Sequence, residues 1–272
     1  MSNIQIVASV LIRNEDLYIE RVIRNIIDFS DKIIITDHQS TDRTYEICEK
    51  LAKEFPKIEL KRIQFFGESS QAIAQYHGTN SWMFAVDGDE IFDPICLREM
   101  RTRLLNGEFS QDWNIFANTL HCEKIDLENK KAWGYLAPPA RAGARLFNFS
   151  LIEDWQDYGE RLLGDKIIFK KGYHAGLRRY LHKEIDWENS YFRYVHMSFL
   201  PRSSHDKLRL VKTRLNADEV ARIGNQKNFF DKLTIALKVR FAQLMKKDWK
   251  NQKYRRGPLV EKDVSVFFPQ IP

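Results

Sequence analysis

Three short apolar runs, each followed by an acidic turn, constrain the fold of the first 90 residues most. They occupy residues 4–11, 32–36 and 82–86. Each run is too short for a buried helix and rich in β-branched or large apolar residues, which is typical of buried strands. Apolar residues recur at helical spacing in segments 17–27 and 44–55. This alternation predicts right-handed βαβ units and therefore an α/β fold with a mostly parallel sheet flanked by helices.

The turns after these strands are expected to meet at one edge of the sheet, because ligands of open α/β sheets bind beyond the carboxyl ends of the strands. Asp87 and Asp89 leave the third strand two residues apart, so both project to the same side. Such an oxygen-only pair suits magnesium, manganese or calcium rather than zinc. Asp37 ends the second strand and can accept a hydrogen bond from a ligand there. An exposed acidic turn is the alternative interpretation of 87–90.

The three turns resemble, in order and spacing, the motifs of family 2 glycosyltransferases of GT-A fold. The matching segments are V-L-I-R-N-E at 10–15, I-I-I-T-D-H-Q-S-T-D-R-T at 33–44 and W-M-F-A-V-D-G-D-E at 82–90. The resemblance implies a nucleotide-sugar donor bound together with Mn²⁺ or Mg²⁺. It implies further that Asp37 holds the base, that Asp87 contacts the ribose or supports the metal shell, and that Asp89 binds the metal. The residues that would border the nucleoside pocket are Arg13, Asn14 and Glu15.

The second half of the chain is similar, less closely, to the branch of the family that resembles lipopolysaccharide-core glucosyltransferases. The matching segments are R-L-F at 145–147, L-H-K-E at 181–184 and V-H-M at 195–197. This resemblance implies that Glu184 is the general base, that His182 orients it, that Arg145 neutralises the diphosphate and that His196 completes the metal shell. The rival bases are Asp154 and Asp157; Arg145 in a surface ion pair is an equal alternative.

Charge is unevenly distributed along the chain. Residues 202–256 hold 16 Lys/Arg against 5 Asp/Glu, whereas the rest holds 27 basic against 32 acidic residues. Apolar residues at helical spacing within 230–244 predict a basic amphipathic helix. Such a helix suits peripheral contact with an anionic membrane through 201–256, or it packs on the core. A nucleic-acid-binding protein is a weaker alternative, because it leaves the acidic turns unexplained.

Three widely spaced cysteines without a C-x-x-C pair favour a reducing compartment, and no apolar window is long enough to span a bilayer. We therefore predict a cytoplasmic, metal-dependent, inverting glycosyltransferase, peripheral at most at the inner face of the membrane. It would move a hexose from a nucleotide-sugar, for which we expect a UDP-sugar, to a hydroxyl of a surface glycan such as lipopolysaccharide or lipooligosaccharide core or capsule. Nucleotidyl transfer is the nearer alternative, but no glycine-rich phosphate loop follows the first strand.

The predicted domain organisation is a GT-A domain at 1–200 and a basic helical extension at 201–272. Within the domain, residues 1–120 would form the nucleotide-sugar-binding half and residues 121–200 the acceptor half. The glycan or glycolipid acceptor would therefore contact the half in which the sequence pattern is weaker.

Overall fold

A computed structural model describes residues 4–65, 67–156, 166–206 and 249–269 of the chain. The described strands form a seven-stranded sheet, a five-stranded sheet and a two-stranded sheet. The strands are β1 Gln5–Ile12, β2 Lys32–Asp37, β3 Ile58–Arg62, β4 Ser81–Asp87, β5 Glu90–Phe92, β6 Asn114–Phe116, β7 Asn118–Asp126, β8 Lys131–Ala137, β9 Ala144–Asn148, β10 Ile152–Gln156, β11 Lys166–Phe169, β12 Arg178–Tyr180, β13 Arg193–His196 and β14 Val260–Asp263. The α-helices are α1 Ile19–Ile26, α2 Thr44–Glu54, α3 Gly67–Ile73, α4 Pro94–Leu105, α5 Leu181–Glu184 and α6 Trp249–Tyr254.

The seven-stranded sheet has the order β12-β6-β9-β4-β1-β2-β3, with β4, β1, β2 and β3 parallel. It is mixed because β9 pairs antiparallel with both β4 and β6. In β1 every residue after Gln5 is buried, as expected of a strand covered on both faces. The register sets Ile12 beside Asp37 and Leu11 beside Asp87. Both predicted aspartates therefore lie at the carboxyl edge, one on each side of β1.

Alternate residues of β1 enter different hydrophobic clusters, because successive side chains of a strand point to opposite faces. Ala8 and Val10 pack with the helix residues Val22 and Ile26 in the larger cluster, which also receives residues of α2 and α4. Val7 packs in the other cluster with residues of α3 and β9. The helices thus cover both faces of the parallel strands, and the predicted α/β architecture is confirmed.

The five-stranded sheet has the order β14-β8-β7-β13-β5 and joins the second half of the chain to the first. Its strand β5 follows the acidic turn at 87–90 directly, and β13 pairs with β5 so that His196 lies opposite Glu90. Because β13 also pairs with β7, His121 comes beside His196. This sheet therefore delivers residues of the second half to the turn that ends β4.

The end of the chain belongs to this second sheet. β14 pairs antiparallel with β8, and the residues that follow it, Val264, Phe267 and Phe268, are buried in the larger cluster. Burial of the Phe267 side chain alone contributes about 2 kcal/mol. Within the predicted basic helical extension, residues 249–254 are helical and 260–263 are a strand, while 207–248 lie outside the described residues. In the described part of the chain, no helix has the length and apolarity that crossing a bilayer requires.

Candidate active site

The loops that follow β1 and β2 are fastened to one another. The Asn14 backbone N–H donates to Ser40 Oγ at 3.0 Å, and the Asn14 side-chain oxygen accepts from the Thr41 N–H at 2.8 Å. Asn14 has a φ of 54°, a left-handed conformation that asparagine tolerates better than most residues. The Glu15 N–H donates to Thr44 Oγ1 at 2.7 Å. These bonds give Asn14 a structural role and fix where the Glu15 side chain leaves the loop.

Asp37 is fully buried at the end of β2. Its carboxylate accepts from the Ser40 N–H at 3.1 Å and forms an ion pair with Arg62, whose Nε lies 3.3 Å from Oδ2. The neighbouring His38 is also buried, and burial lowers the pKa of its imidazole. His38 Nε2 lies 2.8 Å from the Gln64 carbonyl oxygen, and exposed Arg13 reaches His38 Nδ1 at 3.4 Å. Arg13 and Asp37 thus lie together at the carboxyl edge of the sheet, where β1 and β2 end.

The Asp87-Gly88-Asp89 turn forms the part of the carboxyl edge that follows β4. Asp89 is 1% exposed, and its Oδ2 lies 3.1 Å from Arg202 Nη1 and 3.6 Å from His196 Nε2. The same Nη1 lies 2.8 Å from Glu15 Oε1. Gly88 makes this approach possible, because a Cβ there would overlap the Glu15 carboxylate. Four charged or polar side chains from three distant segments therefore meet at the turn.

Asp87 lies beside a buried ion pair between Arg145 and Glu90. Arg145 Nη2 contacts Glu90 Oε1 closely and lies 3.5 Å from Asp87 Oδ2, while the Asp87 N–H donates to Glu90 Oε2 at 3.2 Å. Glu90 has no exposed surface, and this burial raises the pKa of its carboxyl to about 7, although the Arg145 charge opposes the rise. Arg145 is therefore held next to Asp87, with its guanidinium 5.1 Å from the ring centre of Tyr194. The surface ion pair considered for Arg145 is in fact a buried one.

His121 orients the imidazole of His196. His121 Nε2 lies 2.9 Å from the Arg141 carbonyl oxygen, which only accepts, so Nε2 carries the proton. Burial lowers the His121 pKa well below its ordinary value, so the ring is neutral and Nδ1 is an acceptor. This Nδ1 lies 3.0 Å from Ser198 Oγ and 3.2 Å from His196 Nδ1, and either group can donate to it. The contact with His121 holds the His196 ring so that its Nε2 faces Asp89 Oδ2 at 3.6 Å.

Tyr254 covers the two histidines from the C-terminal segment. Its ring stacks on His121 at 4.3 Å between centroids and meets His196 edge-on at 5.6 Å. The neighbouring Lys253 carbonyl accepts from the Arg141 N–H at 3.0 Å, which holds the segment in place. Burial raises the pKa of the Tyr254 phenol. The end of the chain therefore forms a wall of the site as well as part of the second sheet.

The donor atoms of Asp89 and His196 fit part of the shell of a manganese or magnesium ion. No three His, Cys, Asp or Glu side chains among the described residues are arranged to enclose an ion. Asp89 and His196 nevertheless present a carboxylate oxygen and an imidazole nitrogen 3.6 Å apart, which are donors that manganese accepts. Ions of this type are commonly held by one or two side chains and completed by substrate phosphates and water. Two protein ligands are therefore sufficient here.

Glu184 and His182 lie apart from this cluster, on the one-turn helix α5. Glu184 is exposed and forms an ion pair with Arg179 at 3.3 Å. His182 is buried near the rings of Phe116 and Tyr180, and burial lowers its pKa. Residues two apart on a helix do not face each other, so the arrangement does not bring His182 to the Glu184 carboxylate.

A cavity of about 370 Å³ adjoins this helix. Its lining includes Glu184, His182, Trp187 and Pro138, as well as Asn118, three residues before His121 along β7. Three residues of strand correspond to about 10 Å. Asn118 and His121 are an odd number of residues apart, so their side chains leave opposite faces of β7, and the cavity lies across this strand from the histidine pair.

The rival base Asp154 lies towards the amino edge of the sheet, opposite to the edge that carries the acidic turn. β9 is antiparallel to β4 and ends at Asn148 beside Trp82, near the amino end of β4. The chain then enters β10, and Gly78, just before β4, packs against the Ile152 carbonyl oxygen. Five residues of strand, about 16 Å, separate Trp82 from Asp87. Asp154 is therefore distant from the acidic turn, whereas Asp157 lies outside the described residues.

Four residues at the site were not identified by sequence reasoning. They are Glu90, His121, Arg202 and Tyr254. Glu90 lies within the acidic turn, so its strand-end position was a usable signal. His121, Arg202 and Tyr254 carry no motif, and only the pairing of β13 with β5 and β7 and the return of the C-terminal segment bring them to the turn.

Comparison with known proteins shows which family the chain matches. Residues 9–186, about two thirds of the chain, match the family described as Glycosyl transferase family 2. The chain belongs to glycosyl transferase family 2. Its mostly parallel sheet flanked by helices agrees with the GT-A fold predicted from the turns.

Individual relatives of this family 2 chain are similar over limited lengths. An uncharacterized glycosyltransferase of Rickettsia conorii (strain ATCC VR-613 / Malish 7) is 31% identical over 87 residues, and one of Rickettsia bellii (strain RML369-C) is 32% identical over 87 residues. The match covers 32% of this chain and less than a third of each relative. Among solved structures, S. aureus TarS in complex with UDP has 11% identity and a TM-score of 0.41, covering 91% of this chain and 74% of that one.

Proposed function

We propose that this chain is a metal-dependent, inverting glycosyltransferase that moves a hexose from a nucleotide-sugar to a hydroxyl of a surface-glycan acceptor. The observation that carries the metal requirement is the arrangement of His196 and Asp89. The His121 contact orients His196 so that its Nε2 and the Asp89 carboxylate face one another at 3.6 Å. Two electron-pair donors in this arrangement are stabilised by a cation between them.

On the donor side, each residue of the resemblance has a role that its position supports. Arg13 would border the nucleoside, and Asp37, which has no exposed surface in the free protein, would accept from the base once its contact with Arg62 opens. Asn14 would shape this pocket through its bonds to the Ser40 loop. Asp87 and Arg145 would face the ribose and diphosphate beside β4. Glu15 would separate the two regions, since it lies against Gly88.

The reaction requires an oxygen of the acceptor to attack the anomeric carbon while the sugar–phosphate bond breaks. The electron pair of that bond leaves with the diphosphate, and a bound Mn²⁺ or Mg²⁺ would stabilise the developing charge. The hydroxyl proton must pass to a base. Glu184 is our candidate for this base because of the resemblance at 181–184, and it lines a cavity in the acceptor half. It would act once an acceptor hydroxyl replaces part of its contact with Arg179.

The acceptor would be a glycan or glycolipid, such as lipopolysaccharide or lipooligosaccharide core or capsule, reached from the cytoplasm. Peripheral contact with anionic membrane through 201–256 is the matching proposal for location, and it rests on the basic composition of this segment. Truncation after Pro201 is unsuitable as a test, because it would remove β14 and the buried Phe267. Substitution of Lys238, Lys246 and Lys247 by glutamine removes three of the basic charges and keeps β14 and Phe267 in the chain. Pelleting with vesicles containing anionic lipid should decrease in this variant, and unchanged pelleting would contradict membrane contact.

Thermal unfolding tests the donor site directly, because a ligand that binds only the folded state raises the melting temperature. The wild type would be compared with Asp89→Asn, using UDP, GDP or CDP, each with MnCl₂ or with EDTA. We expect stabilisation by one nucleotide, UDP being the first candidate, only when manganese is present, and loss of that stabilisation in Asp89→Asn. Asp126→Asn is the matched control, because Asp126 ends β7 in an exposed turn bonded to Asn129.

The outcomes separate the parts of the proposal. Stabilisation that is equal in EDTA and in manganese would reject the metal requirement while retaining the nucleotide site. A response of Asp126→Asn equal to that of Asp89→Asn would show a general electrostatic effect. No response of the wild type to any nucleotide would reject nucleotide-sugar transfer by this chain. The nucleotide that stabilises the wild type defines which sugar donors to use in a transfer assay. That assay measures the anomeric configuration of the product.

A further inference from the structure

The segment that follows β13 crosses both loops at the carboxyl edge. We call residues 200–206 the Arg202 segment. The Leu17 N–H donates to the Arg202 carbonyl at 3.1 Å, and Ser204 donates through its N–H and its hydroxyl to Asp16 at 2.7 and 2.6 Å. Ser203 Oγ donates to Asp42 at 2.5 Å. These bonds attach the Arg202 segment to the loop after β1 and to the loop after β2.

The anchoring places one positive charge at the centre of the acidic cluster. Arg202 Nη1 lies 2.8 Å from Glu15 Oε1 and 3.1 Å from Asp89 Oδ2. The Arg202 side chain is 22% exposed, so it borders the surface that a ligand would approach. The guanidinium carries five N–H donors in a planar fork, and both of these contacts use one nitrogen. The group is therefore built to bind further oxygen atoms on its accessible side.

Arg202 and a divalent ion would compete for the same carboxylate oxygen. Asp89 Oδ2 is the atom that faces both Arg202 and His196. A metal ion bound there would bring two positive charges within a few ångströms of the guanidinium, and this repulsion raises the free energy of the metal complex. A diphosphate removes the conflict, because its oxygens bind the metal and the guanidinium at the same time. Metal without nucleotide should therefore bind weakly in the wild type.

We propose that Arg202 occupies the cation position at Asp89 in the free protein and becomes a ligand of the donor diphosphate when nucleotide and metal bind together. The guanidinium keeps its contact with Glu15 and exchanges the Asp89 oxygen for a phosphate oxygen. This proposal rests on the proposed function and adds a residue that no motif of the chain indicates. It makes binding of metal and nucleotide cooperative, because neither alone satisfies both Asp89 and Arg202.

The proposal predicts effects of opposite sign for removal of one side chain. In Arg202→Met the competing charge is gone, so Mn²⁺ alone should bind at least about threefold more tightly. The same variant lacks a charge-assisted hydrogen bond to phosphate, so the nucleotide should bind at least about tenfold more weakly in saturating MnCl₂. Arg202→Lys keeps the charge without the fork and should change nucleotide affinity less than Arg202→Met does. A merely structural Arg202 would instead lower both affinities together.

The experiment is isothermal titration of MnCl₂ alone, followed by titration of the stabilising nucleoside diphosphate in saturating MnCl₂. Arg43→Met is the matched control, because Arg43 is 70% exposed and its Nε lies 3.7 Å from Asp16, near the same loop. It removes the same charge without touching Glu15 or Asp89, and its two affinities should stay within about twofold of the wild type. Far-UV circular dichroism of each variant establishes that it is folded, and Arg202→Lys provides the test if Arg202→Met does not fold.

Failure of this proposal is distinguishable from failure of the proposed function. If the wild type binds nucleotide with manganese but Arg202→Met binds it equally well, the diphosphate role of Arg202 is overturned and the donor site stands. If Arg202→Met binds Mn²⁺ alone more weakly than the wild type, competition at Asp89 is overturned. If Arg43→Met reproduces both changes, the effect is one of net charge and the specific role is rejected. If the wild type binds no nucleotide, both proposals fall.

Discussion

Asp93 links the start of α4 to β13, and its removal should be among the most destabilising single changes in the chain. Asp93 is 1% exposed and caps α4, accepting from the Ile95 N–H at 2.8 Å and the Cys96 N–H at 3.2 Å. Its other oxygen accepts from Arg193 through Nε at 2.9 Å and Nη2 at 2.8 Å. One side chain thus satisfies a helix terminus and a partly buried guanidinium.

The magnitude follows from these two roles. Loss of an N-cap costs about 1 kcal/mol. Removal of one partner of a buried ion pair costs about 3–5 kcal/mol, and the lower end applies because the Arg193 side chain is 18% exposed and reaches water. Asp93→Ala should therefore lower the free energy of unfolding by about 4 kcal/mol. Asp93→Asn keeps the capping oxygen and should cost about 3 kcal/mol.

Urea unfolding at pH 7 measures these values, and a double-mutant cycle isolates the pair. Arg193→Met leaves the Asp93 carboxylate buried without its cation, so this variant should lose about 3 kcal/mol. The double variant Asp93→Asn with Arg193→Met should be less destabilised than the sum of the single variants by at least about 1.5 kcal/mol. An additive cycle would refute the reasoning, as would an Asp93→Asn variant that is as stable as the wild type.

Other consequences of the structure are testable by stability and reactivity. Phe267→Ala should cost about 3 kcal/mol by urea unfolding because Phe267 is 1% exposed, whereas Leu259→Ala should have little effect because Leu259 is 52% exposed; equal effects would contradict the placement of the C-terminal segment in the core. Gly88→Ala should cost about 1–3 kcal/mol because its methyl group overlaps the Glu15 carboxylate, and the same change made in a Glu15→Ala background should cost much less; an equal cost in both backgrounds would place the strain elsewhere. All three cysteines are buried, and burial raises the thiol pKa values, to about 12 for two of them, so native protein at pH 8.5 should react slowly with a disulfide reagent and unfolded protein should release three thiols rapidly. Rapid labelling of the native protein would show that this burial is wrong.

The parallel core could be predicted from the sequence because its signals are local. The apolar run 32–36 lies within β2 Lys32–Asp37, and the helix predicted at 44–55 is α2 Thr44–Glu54. Burial on both faces makes such strands continuously apolar, and helices repeat with their own period, so a short window is sufficient to distinguish them. The positions of Asp37 and Asp87 at the carboxyl edge follow from the same pattern, because parallel strands end on the same side.

The second half was harder to predict because its strands are short and their partners are distant in sequence. Phe116 and Asn118 lie in two different strands, β6 and β7, although segment 115–120 reads as one extended run. Strand β13, with only four residues, pairs with β5 and β7. A four-residue strand carries little periodic signal, so its place is decided by which sheet edges the rest of the fold leaves available.

The sequence by itself determined the order of elements in the parallel core, the acidic turn at its carboxyl edge and the membership of a glycosyltransferase family. Only the tertiary structure decided what surrounds that turn. Arg202 is 187 residues from Glu15 and 113 from Asp89, and His196 is 75 from His121. Contacts at such separations depend on the pairing of strands and on the path of the returning chain, because side-chain periodicity encodes which face is buried but not which distant residue packs against it.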